Sequence, residues 1–195
     1  MVPLGRGGPP VDWLIVGLGN PGSEYDRTRH NVGFEIARKL IDRWQLPKPK
    51  QRFKGLLTEG RIGVGPTGSA RVAVLLPQTY MNDAGESVGP ARGALRADLD
   101  HMLVLHDEID LPFGDIRVRL GGGLAGHNGL KSLRQGLGSA DFGRVRVGVG
   151  RPPTTDPDRV AAYVLGRFSE PRADVEMLVD EAADAAERVV RDGLP

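Results

Sequence analysis

A histidine able to act as a base and a carboxylate able to orient it are the residues of this chain best suited to chemistry. His30 stands in Arg29-His30-Asn31, at the end of the polar loop SEYDRTRH and just ahead of a stretch with helical spacing. Asp107 stands in His106-Asp107-Glu108-Ile109-Asp110, directly after the apolar run MLVL, where a strand would end and where α/β sheets place their sites. An aspartate bonded to one imidazole nitrogen fixes the tautomer and raises basicity, leaving the other nitrogen to take a proton from water. Taken singly, a histidine before a helix also suits a polar cap, and an acidic run after a strand also suits a turn.

Three asparagines form a second group: Asn20 in GLGNPG, Asn82 in QTYMNDAG and Asn128 in GGGLAGHNGLKS. An amide both donates and accepts without titrating, so it can hold a water, a peptide carbonyl or a ribose hydroxyl. Asn82 and Asn128 each precede helical patterns, which makes helix caps their plain alternative. Gly17 to Gly22 satisfies G-x-G-x-x-G after a strand, but a dinucleotide site needs its helix to begin at the glycines. Here a polar loop intervenes, and Asp42, the only acidic residue near the expected spacing, falls inside a helical pattern. Cysteine is absent and no serine sits in a G-x-S-x-G context, so water is the expected nucleophile. No H-E-x-x-H or similar pair appears, and neither a metal nor another cofactor is expected.

The elements that must position these groups alternate. Asp12 to Gly17, Arg71 to Leu76, Met102 to Leu105 and Val145 to Val149 read as buried strands, and Ile116 to Leu120 as a half-exposed one. Phe34, Ala37, Leu40, Ile41 and Trp44 give an amphipathic helix over Asn31 to Trp44, followed by a polar connector, LPKPKQR. Helical patterns follow Met81 and Asn128, and Val175, Leu178, Val179, Ala182, Ala186 and Val189 share one face of a long C-terminal helix. The expected fold is a single α/β domain over residues 12–195, with a twisted mixed, largely parallel sheet flanked by helices on both faces. Residues 1–11 are expected to be a flexible tail.

The chain has 195 residues, 39% hydrophobic and 26% charged, which suits one globular domain and excludes disordered and fibrous classes. No apolar run approaches a membrane span, the first residues lack the apolar centre of a signal peptide, and the lack of cysteine agrees with a reducing compartment, so the cytoplasm is the expected location. The formal charge of +1 hides an asymmetry. Phe113 to Arg151 carries seven basic residues against two acidic, while Glu170 to Asp192 carries eight acidic against three basic. The first region could hold a polyanion that the second repels.

Five segments, LIVGLGNPGSEYDRTRHNVGF, PQTYMNDAGESV, HDEIDLPFG, GGGLAGHNGLKS and FGRVRVGVGRP, together resemble the bacterial peptidyl-tRNA hydrolase family in order and spacing, from Trp13 to the last helix. The resemblance implies a monomeric enzyme that hydrolyses the ester between peptide and tRNA. It implies His30 as the base that activates water, Asp107 as its orienting carboxylate, and Asn20, Tyr25, Met81, Asn82 and Asn128 around the peptide and water. It assigns Arg117 and Arg146 to the 5′ phosphate beside the tRNA acceptor stem. Arg117 stands where lysine is usual in the family, keeping the charge and adding a bidentate fork. Leu76 likewise replaces a frequent lysine before Pro77. A non-catalytic RNA-binding protein or a nucleotide binder on a related fold is the alternative, and the presence of both His30 and Asp107 weighs against it.

Overall fold

The computed structural model describes residues 8–195. In β1 (Trp13–Gly17), Trp13 and Ile15 join one apolar cluster and Leu14 and Val16 the other, all of them buried. A strand apolar on both faces needs cover on both. α1 (Val32–Arg43) and α5 (Arg172–Asp192) cover the Trp13 and Ile15 face, while α2 (Gly85–Leu95) and α3 (Asn128–Leu137) cover the Leu14 and Val16 face. The six C-terminal positions expected on one helical face are all buried in α5.

The remaining strands are β2 (Lys50–Arg52), β3 (Gly55–Val64), β4 (Gly68–Pro77), β5 (Met102–Glu108), β6 (Ile116–Leu120) and β7 (Gly143–Gly148). They form one sheet in the order β2-β3-β4-β1-β5-β7-β6. β4, β1, β5 and β7 run parallel in its centre, and β2, β3 and β6 add antiparallel edges. The mixed, centrally parallel sheet of the sequence reading is therefore the sheet observed.

Three elements are additional to that reading. The connector LPKPKQR contains β2, whose three residues are all exposed, and an edge strand without apolar residues carries no periodic signal. β3 is interrupted by Gly55, Gly60 and Gly63, which erase the alternation of a half-buried strand. A short helix, α4 (Pro157–Val164), starts at an Asp156 cap and buries none of its residues, so no core-facing stripe marks it. Of the expected tail, Met1 to Gly7 lie outside the described residues. Val11 is buried and its N–H donates to the Leu95 carbonyl at 3.1 Å.

The chain between β1 and α1 is pressed onto the carboxyl ends of the central strands by glycines. A Cβ on Gly33 would collide with the Leu105 and Leu18 carbonyl oxygens, and one on Gly17 would lie 2.5 Å from the Gly33 carbonyl. Only hydrogen there lets the start of α1 sit against β1 and β5. Gly17 of the G-x-G-x-x-G match thus serves close packing, and α1 begins at Val32, well beyond Gly22.

Candidate active site

The packing of α1 carries a short 3-10 turn, Arg29–Asn31, over the ends of β1 and β5. The Arg29 N–H donates to the Gly166 carbonyl (3.0 Å), and its guanidinium lies over the Tyr163 ring, 3.9 Å from the centroid. Asn31, a residue the sequence reading left without a role, closes the turn from the other side. Its Oδ1 accepts the Asn20 N–H (2.8 Å), and its Nδ2 donates to the Asn20 carbonyl (2.9 Å). His30 is held between these anchors with only 8% of its surface exposed.

Asp107 reaches His30 from β5. The imidazole Nδ1 lies 2.9 and 3.0 Å from the two carboxylate oxygens, across 77 residues of sequence. Burial by itself would raise the Asp107 pKa, but the two imidazoles facing it hold it below the usual carboxylate range. It is therefore an anion that only accepts, and each ring nitrogen facing it carries a hydrogen. For His30, burial would lower the pKa, but the charge of Asp107 and its hydrogen bond outweigh burial and raise it. With Nδ1–H committed to Asp107, Nε2 is left as the acceptor, the arrangement a general base needs.

The second imidazole on Asp107 belongs to His127, whose Nε2 lies 2.8 Å from Asp107 Oδ1. It is a functional candidate that the sequence reading missed, although it adjoins Asn128 in the quoted glycine-rich segment. His127, not an asparagine, caps α3, with its Nδ1 accepting the N–H groups of Gly129 and Leu130. The side chain of Asn128 makes no cap, and neither α2 nor the turn Met81–Asp83 has a side-chain cap, so Asn82 is not one either. Both amides are exposed.

A crevice of about 650 Å³ opens above this group, lined by Asn20, Tyr25, His30, Met81, Asn82, Asp107 and Asn128 together with His127 and Glu108. Seven of the nine expected site residues thus meet in one cavity. Asn20 Oδ1 accepts the Met81 N–H at 2.7 Å, which ties the end of β1 to the loop after β4. Tyr25 packs edge-on against Tyr80, with centroids 6.5 Å apart. One wall is apolar, formed by Val160, Ala161, Val164 and Leu165 at α4, which explains why that helix has an apolar side yet covers no core.

Similarity to known proteins agrees with this geometry. The model of the peptidyl-tRNA hydrolase family matches residues 14–195. The chain belongs to the peptidyl-tRNA hydrolase family. It is 45% identical over 185 residues to the peptidyl-tRNA hydrolase of Kineococcus radiotolerans, covering 93% of this chain and 92% of the relative. Identity to the peptidyl-tRNA hydrolase of Bacillus thuringiensis subsp. konkukian is also 45%, over 89% of this chain and 90% of that one. The crystal structure of peptidyl-tRNA hydrolase from Acinetobacter baumannii superposes with a TM-score of 0.79 at 38% identity, covering 94% of this chain and 89% of that one.

Arg117 and Arg146, expected to act as a pair, lie outside the crevice but side by side, as register partners on β6 and β7. Arg117 is exposed, with Asp115 3.9 Å away. Arg146 is partly buried, and its Nε donates to Glu108 Oε2 at 3.2 Å. Glu108 lines the crevice, so a single carboxylate joins Arg146 to the cavity that holds His30. Arg144, counted in the positive region, is 1% exposed and donates to the carbonyls of Gly122, Gly123 and Ala140. Its charge holds the glycine loop and is withdrawn from the surface.

His30, Asp107 and His127 each offer one atom, the three within 4.8 Å of one another, the spacing of a cation site. The cap on α3 opposes that use. His127 Nδ1 must keep its lone pair for the Gly129 and Leu130 amides, so Nε2 carries a proton where a metal would need electrons.

Proposed function

We propose that this chain hydrolyses the ester bond of peptidyl-tRNA with His30 as the base, and the observation that carries this is the His30 Nδ1 bond to Asp107 on the floor of the crevice. His30 Nε2 takes a proton from water, and the resulting hydroxide attacks the ester carbonyl that joins the last residue of the peptide to the ribose. The tetrahedral oxyanion is met by a preorganised donor, the Asn82 amide or an N–H of the glycine loop. As the C–O bond to the ribose breaks, the imidazolium returns its proton to the leaving ribose oxygen, which departs as the tRNA hydroxyl. Asp107 balances the charge that His30 carries between these steps.

Asn20, Tyr25, Met81, Asn82 and Asn128 surround the peptide and the water, and the apolar wall at α4 offers a surface to peptide side chains. Asn20 contributes through its amide N–H groups, because its Oδ1 is committed to Met81. Arg117 and Arg146 hold the 5′ phosphate beside the acceptor stem. With its Nε on Glu108, Arg146 contributes through its terminal nitrogens. A phosphate contact of this kind positions the substrate and reads no base sequence. The chain acts as a monomer in the cytoplasm, returning tRNA that left the ribosome with its peptide attached.

The test is release of labelled peptide from peptidyl-tRNA by the purified protein, with His30→Ala as the control. Cleavage by the parent at an ordinary enzymatic rate and its loss in the variant is the expected result. Binding of peptidyl-tRNA without cleavage would favour the non-catalytic RNA-binding alternative.

A further inference from the structure

The Asp107 carboxylate holds two imidazoles, and the reaction uses only one of them directly. The other, His127, is fixed by backbone. Its Nδ1 accepts the N–H of Gly129 at 3.1 Å and of Leu130 at 3.3 Å, both in the first turn of α3. A nitrogen that accepts backbone N–H groups keeps its lone pair, so the ring hydrogen is on Nε2 and points at Asp107 Oδ1, 2.8 Å away.

We propose that His127 is a positioning residue: the amides at the start of α3 fix its tautomer, and through Asp107 that tautomer aims His30. The His127 Nε2–H pins the carboxylate through Oδ1. His30 Nδ1 then faces both carboxylate oxygens, 2.9 Å from Oδ2 and 3.0 Å from Oδ1. His30 must turn Nδ1–H toward the carboxylate and keep its Nε2 lone pair for water. The side chains of His30, Asp107 and His127 are 10%, 1% and 7% exposed, so bulk water does not supply a replacement donor. The proposal rests on His30 being the base.

The charged and titratable groups sharing the crevice with His30 are Asp107 and Glu108 from β5, His127 and Lys131 from the start of α3, Arg151 beyond β7, and the phenols of Tyr25 and Tyr80. Removing the His127 donor leaves Asp107 with one hydrogen bond fewer, so it pulls harder on the His30 proton. The acid limb of the rate profile should therefore move to higher pH. Asp107→Asn has the opposite sign, because it removes the charge that raises the His30 pKa.

The variant that separates relay from cap is His127→Asn. Asparagine is among the best helix caps, so α3 keeps an acceptor for its first amides, but the shorter side chain does not reach Asp107. Single-turnover cleavage by His127→Asn should fall roughly tenfold, equivalent to about 1.4 kcal/mol of transition-state stabilisation. KM and the melting temperature should stay close to the parent's, and the acid limb should move up. Two-bond 15N spectra of the parent should show His127 protonated on Nε2 and His30 on Nδ1, and in His127→Asn the His30 Nδ1–H tautomer should persist while the ring takes up its second proton at higher pH than in the parent. A parental rate and an unmoved limb in the variant, or a His127 protonated on Nδ1 in the parent, would overturn the proposal. Losses of rate and stability in step, with the limb unmoved, would also overturn it by making His127 a helix cap only. His30→Ala, run alongside, tests the base assignment separately: a parental rate there sinks that assignment, while the 15N tautomers still decide the relay.

Discussion

Acidification should destabilise this protein through His106, a residue the proposed reaction does not use. His106 is 1% exposed on β5, its Nδ1 lies 2.8 Å from the Asp107 carbonyl, and its Nε2 is buried without a partner among the described residues. Burial and the neighbouring His127 push its pKa down from 6.5 to about 3. The folded state thus rejects a proton that the unfolded chain accepts below its ordinary value. Stability linked to His106 is complete above that value, is lost as pH falls from 6.5 toward 3, and is flat below it. At pH 4.5 the unfolded chain gains about two pH units of protonation free energy, which is about 3 kcal/mol at 1.36 kcal/mol per unit. That is a large share of the roughly 5–15 kcal/mol that holds a domain folded. It corresponds to a fall of about 6–12 °C in melting temperature for a chain of this size. The perturbation is His106→Asn, whose amide can still donate to the Asp107 carbonyl but does not titrate. Urea unfolding of parent and variant at pH 7 and pH 4.5 gives four free energies. The variant should be less stable at pH 7 because it packs less well, yet it should lose about 3 kcal/mol less than the parent on acidification. His30 has a raised pKa and gains stability on acidification, but it is common to both proteins and cancels. Equal losses in parent and variant would refute the assignment of a proton-excluding site to His106.

His30→Ala should lower turnover roughly 10²- to 10⁴-fold with tRNA affinity little changed, and Asp107→Asn should also be slow; the double variant should be scarcely worse than His30→Ala, since members of one unit are not additive. Single-turnover ester cleavage with parallel melting curves checks this, and a melting temperature that collapses with the rate would make His30 structural. The parental rate should rise with pH through the raised His30 pKa and then level off, and a rate falling over that range would contradict a neutral imidazole base. Arg117→Ala or Arg146→Ala should weaken binding of full-length peptidyl-tRNA and flatten its salt dependence by about one unit of slope. Short substrates without a 5′ phosphate should be nearly indifferent, and equal losses on both would place the arginines elsewhere. Hydrolysis should survive EDTA; loss of activity that one added metal restores would overturn the scheme of water and histidine.

By itself the sequence determined which residues could react and which segments would be buried. His30 and Asp107 were legible because each follows a recognisable local signal, a loop before a helical stripe and an acidic run after an apolar strand. The central strands and α5 were legible because their apolar residues recur with the period of the element that buries them. Elements that bury little left no such trace: β2 is exposed, the glycines of β3 break its alternation, and α4 spends its apolar side on a cavity. Tertiary structure alone decided the meeting of residues distant in sequence. Asp107 binds His30 across 77 positions and His127 across 20, and Asn31 and Asn20 lock the turn between them. It also decided which charges remain on the surface, since Arg144 is buried on the glycine loop and Arg146 is partly spent on Glu108. The identity of the α3 cap is the clearest case. Asparagine and histidine stand side by side at the start of that helix, and local preference favours asparagine. The fold gives the role to His127 because one edge of its ring can satisfy the helix amides while the other reaches a buried carboxylate. That double contact depends on the distance between two elements, and no spacing within the sequence encodes it.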